Sequence, residues 1–316
     1  MLRLCKLILL LCLLAACNSN TEDVAQTKSQ HVNEQSSELV LVTGVTGRQG
    51  GAVARALIEN GFRVRGMTRN PSSDRAAEMA SLGVELIQGD FDDSTSLDAA
   101  MTGVSGIFLV TNFWEHNYDG EVRHGRNVVD AANRNGVLHL VFTSVANADQ
   151  QTAIPHFDSK YEIESYIRQA GVPYTILRPV SFMENWEYQR ERIMTGKISS
   201  PFSESTRLQQ ISVRDIGRFA ALAFSNPESW LGRSLNIAGD EYTMREAMDL
   251  FTQVTGNLVT FERLPWDAYL KVAGKEMTIM DRWIDGTGYS ADIKLVRSLL
   301  PDMMSLEEYL RLNNWQ

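Results

Sequence analysis

Three glycines stand at three-residue spacing in the stretch VTGVTGRQGG, residues 42–51. Gly44, Gly47 and Gly50 lie between an apolar run and an amphipathic segment, where a chain turns from a strand into a helix. Glycine lets the backbone turn tightly there, and the amides that open a helix bind phosphate. The spacing therefore predicts that a dinucleotide pyrophosphate binds at this turn, and the alternative is a tight turn that binds nothing. We assign three more loop residues to the same site: Thr46, Arg48 and Gln49.

The end of the second predicted strand indicates which dinucleotide would bind. Proteins that bind NAD usually carry Asp or Glu there for the ribose hydroxyls, whereas an arginine accommodates the 2'-phosphate of NADP. This chain has Met67-Thr68-Arg69-Asn70 and no acid at that point. Arg69 therefore favours NADP over NAD, and Arg48 in the glycine loop could reach the same phosphate. A surface arginine that binds no ligand is the alternative.

A further pair of candidate cofactor contacts follows the third predicted strand. Asp90 and Phe91 come directly after the segment VELIQG. We expect Asp90 to accept a hydrogen bond from the adenine amino group and Phe91 to pack nearby. The alternative is an ordinary helix N-cap region, because the sequence Asp-Asp-Ser follows and precedes a predicted helix.

Short apolar runs alternate with amphipathic segments from about residue 38 onward. This alternation predicts βαβ units, and hence an α/β fold with a Rossmann-type doubly wound parallel sheet that helices cover on both faces. After about Pro179 the alternation becomes irregular, so we expect a Rossmann core over about 38–180 and a smaller lobe over 181–316. The six predicted strands are residues 39–43, 62–68, 84–88, 106–110, 138–144 and 174–179.

The charge balance and the cysteines limit the classes of function. The formal net charge is −9, so we expect no nucleic-acid partner, because such binding depends on clustered Lys and Arg. All three cysteines lie within the first 17 residues, and the histidines show no ligand spacing with acids. We therefore expect neither a disulfide nor a metal site in the folded part of the chain.

The N-terminal segment has the three-part layout of a secretory signal, with two positive charges, a short apolar run and small residues. Its ending, Leu-Ala-Ala-Cys at 14–17, resembles the lipobox of bacterial lipoproteins. We expect residues 1–17 to be a signal segment, Cys17 to be lipidated, and residues 18–37 to be a flexible tether to the membrane on the periplasmic side of a bacterial cell envelope. The alternatives are an uncleaved anchor helix and a cytoplasmic protein whose start codon is misassigned.

Over residues 39–316, the chain resembles the NmrA-like family of atypical short-chain dehydrogenases, in particular its HSCARG-type NADPH-sensing members. The motifs that carry the resemblance are, in chain order, VTGVTGRQGGAVARAL, MTRNP, QGDFDD, FLVTNFWE, HFDSK and ILRPVSFMEN. The family implies a Rossmann domain with a smaller C-terminal α/β lobe, NADP along the carboxyl edge of the sheet, and often regulation in place of catalysis.

The resemblance also implies roles for individual residues. It assigns the three glycines to the pyrophosphate and Arg69 to the 2'-phosphate. It places Thr111 and Asn112 near the nicotinamide half of the cofactor, with Arg123 and Lys160 as cationic contacts. HSCARG-like proteins usually carry more basic residues after the arginine, whereas this chain has Pro-Ser-Ser-Asp at 71–74. That difference weakens the expected discrimination between NADP and NAD.

Short-chain dehydrogenases pass a proton through a tyrosine that lies four residues before a lysine on one helix face. None of the nine tyrosines here has a lysine at that spacing. His156 stands at the position of the tyrosine, Lys160 follows it, and Ser144 ends the fifth predicted strand. We therefore take Lys160, His156 and Ser144 as the candidate catalytic residues.

Three hypotheses for function follow. The favoured one is an NADPH-binding redox sensor in which Lys160 only holds the ribose and a protein partner responds. The second is an NADPH-dependent reductase of a quinone or similar small electrophile, with His156 or Lys160 as the acid, since an unperturbed histidine pKa of about 6.5 suits proton exchange near neutrality. The third is a membrane-tethered binding scaffold without cofactor, because an exported protein would meet little NADP.

Overall fold

The computed structural model describes residues 38–315, so the predicted signal segment, tether and Cys17 lie outside the described residues. The central sheet contains β1 (Leu39–Val42), β2 (Arg63–Thr68), β3 (Glu85–Gln88), β4 (Gly106–Leu109), β5 (His139–Thr143), β6 (Tyr174–Pro179) and β10 (Ser234–Ile237). The strands pair in parallel in the order β10-β6-β5-β4-β1-β2-β3.

The six strands predicted from the sequence are confirmed to within one residue at each end. β1, β4 and β5 at the centre of the sheet are short apolar runs that are buried at every residue, whereas β2, β3 and β6 also carry charged residues such as Arg65, Glu85 and Arg178. A parallel strand with both faces covered needs such a continuous run.

Helices cover both faces of this sheet. On one face, α1 (Arg48–Glu59) and α7 (Val213–Ser225) pack in a core that includes Leu57 and Phe219. On the other, α3 (Ser94–Met101), α4 (Phe113–Arg134) and α5 (Pro155–Ala170) pack in a core that includes Val128 and Ile163. The short helix α2 (Asp74–Ser81) connects β2 to β3 and packs through Met79 on the α1 face. The doubly wound architecture is therefore as predicted.

The C-terminal lobe has its own core, built around Trp186, Phe251 and Trp315. It contains a three-stranded and a two-stranded sheet, which are made of β7 (Ser181–Phe182), β9 (Arg207–Ile211) and β11 (Asp240–Thr243), and of β8 (Lys197–Ser200) and β12 (Thr260–Arg263). Its helices are α6 (Arg190–Met194), α9 (Met244–Thr255), α10 (Trp266–Gly286) and α12 (Leu306–Leu312). Two further short helices, α8 (Pro227–Trp230) and α11 (Ile293–Leu299), pack through Trp230 and Val296 in the core on the α1 face of the central sheet. No helix within residues 38–315 is both long and apolar enough to cross a bilayer.

The predicted boundary near residue 180 leaves out later parts of the Rossmann core, because the chain returns to that core after the boundary. β10 pairs with β6, and α7 approaches α1 so closely that a Cβ on Gly217 would lie 2.5 Å from the Ala52 carbonyl oxygen. The sequence gives little signal for β10 because it is a short edge strand in which only Ile237 is fully buried. The two lobes are therefore interleaved along the chain.

Candidate functional site

The glycine turn between β1 and α1 leaves backbone amides free. Gly44 has φ +59, in the left-handed region that favours glycine, and its carbonyl accepts from the Gly47 N–H at 2.8 Å. A Cβ on Gly50 would lie 2.2 Å from the Gly44 carbonyl oxygen, so the turn itself requires that glycine. Among the described residues, nothing accepts from the amides of Arg48, Gln49 and Gly50, and no side chain caps α1. Three N–H groups at the positive end of the helix dipole are therefore available to an anion.

Arg69, directly after β2, forms an ion pair with Glu115 in the first turn of α4. Arg69 Nη2 donates to Glu115 Oε2 at 3.3 Å, and the Asn112 side-chain amide donates to the same oxygen at 3.2 Å. The hydrogen bond from Arg69 lowers the pKa of Glu115. Because β1 lies between β2 and β4, the pair crosses the carboxyl end of β1, the strand that leads into the glycine turn.

The side chains of the glycine turn contact the C-terminal lobe and β5. The Arg48 guanidinium lies over the Tyr188 ring, 5.3 Å from its centroid. Gln49 Oε1 accepts from Thr143 Oγ1 at 2.8 Å, which ties α1 to the end of β5. Thr46 is half-buried and lines, with Arg48, a surface cavity of about 440 Å³. Arg48 thus has an aromatic neighbour in the other lobe. The sequence analysis had instead suggested that Arg48 could reach the 2'-phosphate.

Asp90 and Phe91 follow β3, where the sequence places the adenine contacts. The Asp90 carboxylate accepts from the Asp92 N–H at 2.9 Å, and Phe91 packs edge-on against the His124 ring at 5.5 Å. Arg123 binds Asp92 through Nε at 2.8 Å and Nη2 at 3.0 Å, and this pairing holds the pKa of Asp92 well below its usual range. Arg123 therefore lies beside the loop after β3 with its guanidinium paired to Asp92, and its implied role as a cationic contact of the cofactor stays a prediction.

Lys160 on α5 binds a carboxylate that is fully buried. Its Nζ lies 2.7 Å from Glu121 Oε1 and 3.3 Å from Thr111 Oγ1, and the Thr111 hydroxyl donates to the same Glu121 oxygen at 2.7 Å. The Ser159 hydroxyl donates to the other oxygen of Glu121. Burial pushes the pKa of Glu121 upward, but the charge of Lys160 and these hydrogen bonds outweigh burial, so the pKa is lowered. The site therefore contains a charged pair shielded from water.

One turn earlier on α5, His156 binds a residue of the C-terminal lobe. Its Nδ1 lies 2.6 Å from Glu276 Oε1, and its backbone N–H donates to the same oxygen at 3.2 Å. Its ring centroid lies 5.6 Å from that of Phe113, 5.1 Å from that of Trp114 and 4.9 Å from that of Phe157. Burial lowers the pKa of His156, while the hydrogen bond and charge of Glu276 oppose that shift.

Ser144, directly after β5, is buried, and its Oγ has no hydrogen-bond partner within residues 38–315.

Two helices also break beside the site. Asn117 in α4 has φ 60 and ψ −174, between Glu115 and Glu121, and Gly274 in α10 has φ 81 two residues before Glu276. Strained backbone of the Asn117 kind costs about 1–3 kcal/mol and concentrates at ligand sites.

Residues 36–310 match the model of the NmrA-like family. The chain belongs to the NmrA-like family. An NmrA-like family domain-containing protein of Dictyostelium discoideum is 26% identical over 302 residues, covering 89% of this chain and 99% of that protein. The (4-alkanoyl-5-oxo-2,5-dihydrofuran-3-yl)methyl phosphate reductase of Streptomyces griseus is 32% identical over 232 residues, covering 73% of this chain and 78% of that enzyme. An NmrA-like family domain-containing oxidoreductase of Cladobotryum sp, FrzB, is 30% identical over 263 residues, covering 73% and 78%.

Two solved structures have the same fold. The NADPH-dependent quinone oxidoreductase of Escherichia coli, in complex with NADPH, aligns with a TM-score of 0.76 at 24% identity and covers 87% of this chain and 100% of its own. NmrA, a negative transcriptional regulator, in complex with NADP, aligns with a TM-score of 0.73 at 20% identity and covers 88% and 95%. The predicted fold class and the predicted resemblance to the NmrA-like family are therefore confirmed.

The sequence analysis missed Glu121 and Glu276, which the structure places beside Lys160 and His156. Glu121 had a signal, because it lies four and seven residues before Gly125 and Val128, on the buried face of α4, where a carboxylate needs a partner. Glu276 had none, because 120 residues separate it from His156. The structure places Lys160 Nζ 3.3 Å from Thr111 Oγ1, with His156 one turn earlier on the same helix, and their roles in a cofactor site stay predictions.

Proposed function

We propose that this chain binds NADP(H) along the carboxyl edge of the central sheet and reduces a small electrophile such as a quinone. The observation that carries the proposal is the pair of ionisable clusters, Lys160 with Glu121 and His156 with Glu276, beside the residues that follow β4. Ligands of open α/β sheets bind at that edge, and ionisable groups held there can move a proton next to a bound dinucleotide.

The glycine turn and Arg69 fit this cofactor. The free amides of Arg48, Gln49 and Gly50 would bind the pyrophosphate, and Arg69 would bind the 2'-phosphate in exchange for Glu115. When bound, the reduced cofactor supplies a hydride. The NADPH complex of the Escherichia coli quinone oxidoreductase and the NADP complex of NmrA support this choice of dinucleotide.

The remaining residues would orient the reactants and exclude water. The Lys160 ammonium has three N–H donors, of which Glu121 and Thr111 occupy two, so one remains for a ribose hydroxyl. Phe113 and the exposed Trp114 stand beside His156 and would cover a planar substrate. The reductase named in Streptomyces griseus and the oxidoreductase FrzB support the assignment of redox chemistry.

The test is calorimetric titration of the purified protein with NADPH, NADP and NADH, followed by assays of NADPH oxidation with a panel of quinones. We expect tighter binding of the phosphorylated forms and oxidation that depends on the quinone. Absence of dinucleotide binding would contradict the whole proposal and would favour a scaffold that binds no cofactor.

A second candidate is an NADPH sensor without turnover. The specific observation in its favour is the Lys160–Glu121 pair, because a lysine that neutralises a fully buried carboxylate is a poor proton donor. NmrA, a negative transcriptional regulator that binds NADP, supports it as well. The sensor predicts selective NADPH binding, no oxidation with any quinone, and slower hydrogen exchange of residues 112–117 in the complex.

The cellular location is a separate proposal, which rests on the sequence of residues 1–17. We propose that Cys17 is lipidated and tethers the protein to a membrane. Cell fractionation with acyl labelling tests this proposal, with Cys17→Ser as the variant that should lose the label and the membrane association. A soluble, unlabelled wild-type product would contradict it.

A further inference from the structure

The hydrogen bond between His156 and Glu276 joins α5 of the Rossmann core to α10 of the C-terminal lobe. One carboxylate oxygen, Oε1, contacts both the ring Nδ1 at 2.6 Å and the backbone N–H of His156 at 3.2 Å. The Glu276 side chain is 22% exposed and that of His156 is 9% exposed, so little water competes for this bond. Because an ionised carboxylate can only accept a hydrogen bond, the ring proton of neutral His156 lies on Nδ1.

The other ring nitrogen of His156 is left without a partner. Within the described residues, nothing hydrogen-bonds to Nε2, and Phe113, Trp114 and Phe157 fix the ring plane. His156 and Lys160 are four residues apart on α5 and therefore share one helix face. His156 Nε2 is thus a free ring nitrogen on the face of α5 that carries Lys160.

Lys160 is the weaker proton donor of the two candidates. Loss of its proton would leave Glu121, which is fully buried, without a counter-charge. Loss of a proton from protonated His156 Nε2 leaves the Nδ1–H to Glu276 intact. The histidine can therefore exchange a proton without breaking the contacts that hold it.

We propose that His156 is the proton donor of the reductase and that Glu276 is the positioning residue that holds it, a proposal that rests on the function proposed above. In the step, the substrate receives a hydride from NADPH and a proton from His156 Nε2. NADPH is thereby oxidised to NADP+, the quinone or carbonyl gains two electrons, and neutral His156 regains a proton from solvent.

The charges around His156 set the expected pH dependence. The facing ionisable groups are Glu276 on α10, Lys160 on the same helix and Glu121 on α4. Burial lowers the pKa of His156, Glu276 and Glu121 raise it, and Lys160 lowers it. Since the protonated ring is the donor, reduction should slow as pH rises through a pKa below the ordinary value of about 6.5. Removing the Glu276 charge should move this decline to still lower pH.

The experiment compares the pH profiles of NADPH oxidation with p-benzoquinone for wild type, Glu276→Gln, Glu276→Asp and His156→Gln. In Glu276→Gln the glutamine still accepts a hydrogen bond from Nδ1–H but carries no charge. We therefore expect the decline in rate to shift to lower pH by about one pH unit, and the rate of NADPH oxidation at neutral pH to fall about tenfold. Aspartate should restore part of the rate, and His156→Gln should abolish the pH-dependent step. The matched control is Asp267→Asn, an exposed carboxylate on the same helix, which should leave the profile unchanged.

A second measurement does not depend on turnover. The nitrogen-15 chemical shifts of His156, assigned by their loss in His156→Gln, should report a proton on Nδ1 in the wild type and a mixture of tautomers in Glu276→Ala. If the wild type oxidises NADPH and the Glu276→Gln variant has the same pH profile as the wild type, the inference is overturned and the reductase function still stands. Absence of turnover in the wild type would overturn the reductase and the donor role together.

Discussion

Replacing Lys160 by methionine removes one partner of the buried ion pair and keeps most of the apolar stem. Glu121 Oε1 then loses the ammonium that lies 2.7 Å away, while the hydroxyls of Thr111 and Ser159 remain as donors. Glu121 is fully buried, so water does not replace the missing charge. The folded protein must then either carry an uncompensated carboxylate or protonate it.

The magnitude follows from that burial. Removing one member of a buried ion pair costs about 3–5 kcal/mol, and the two remaining hydroxyl donors should keep the loss near the lower bound, about 3 kcal/mol at neutral pH. In a domain of this size such a loss corresponds to a fall in Tm on the order of 10 °C. Lower activity of a Lys160 variant therefore indicates a catalytic role only when its folded fraction is known.

The loss should depend on pH with a defined sign. In the wild type the pKa of Glu121 is lowered, so its stabilising contribution is present above the unfolded pKa of about 4.3 and disappears as pH falls through the folded pKa. In Lys160→Met, burial is no longer offset and the pKa of Glu121 rises. The variant should therefore lose stability as pH rises from mildly acidic to neutral, and the gap to wild type should be widest at neutral pH.

Urea unfolding at neutral and mildly acidic pH measures this gap. The Lys160→Met, Glu121→Gln double variant should recover at least about 1 kcal/mol relative to Lys160→Met, because no buried charge remains. Lys271→Met is the matched control, an exposed lysine on α10 that should change stability by less than about 0.5 kcal/mol. Wild-type stability of Lys160→Met at neutral pH, or a double variant no more stable than the single, would refute the reasoning.

Three further predictions follow from other contacts. In calorimetry, Arg69→Glu should weaken NADPH binding far more than NADH binding. Glu115→Gln should tighten NADPH binding about threefold, because it frees Arg69 from an exposed ion pair. Equal effects on the binding of both cofactors would contradict the 2'-phosphate role of Arg69. Arg178→Met should cost about 3 kcal/mol in urea unfolding, because both oxygens of buried Glu164 accept from Arg178 and only the bond from Arg168 would remain, and a cost under about 1 kcal/mol would contradict that interpretation. Ser144→Ala should keep wild-type stability within about 0.5 kcal/mol, since the hydroxyl is unpaired, and a large loss would reveal a missing partner.

The local features of this protein were readable in the sequence. Strands β1 to β6 match their predicted bounds to within one residue, because each contains a short group of apolar residues between turn or loop residues. The glycine turn was readable as well, because the φ of Gly44 and the close approach at Gly50 depend on neighbours within six residues. The spacing of His156 and Lys160 on one helix face followed from helical periodicity alone.

The partners of the site residues were decided by tertiary structure. The bonds from Arg69 to Glu115, from His156 to Glu276 and from Lys160 to Glu121 span 46, 120 and 39 residues, so no local pattern encodes them. The place of β10 at the edge of the sheet was decided in the same way. Backbone conformation is set by steric and hydrophobic effects between near neighbours, whereas which charges meet depends on how the packed elements are arranged in space. The sequence therefore determined which residues stand at the carboxyl edge of the sheet, and only the fold decided which carboxylates hold them there.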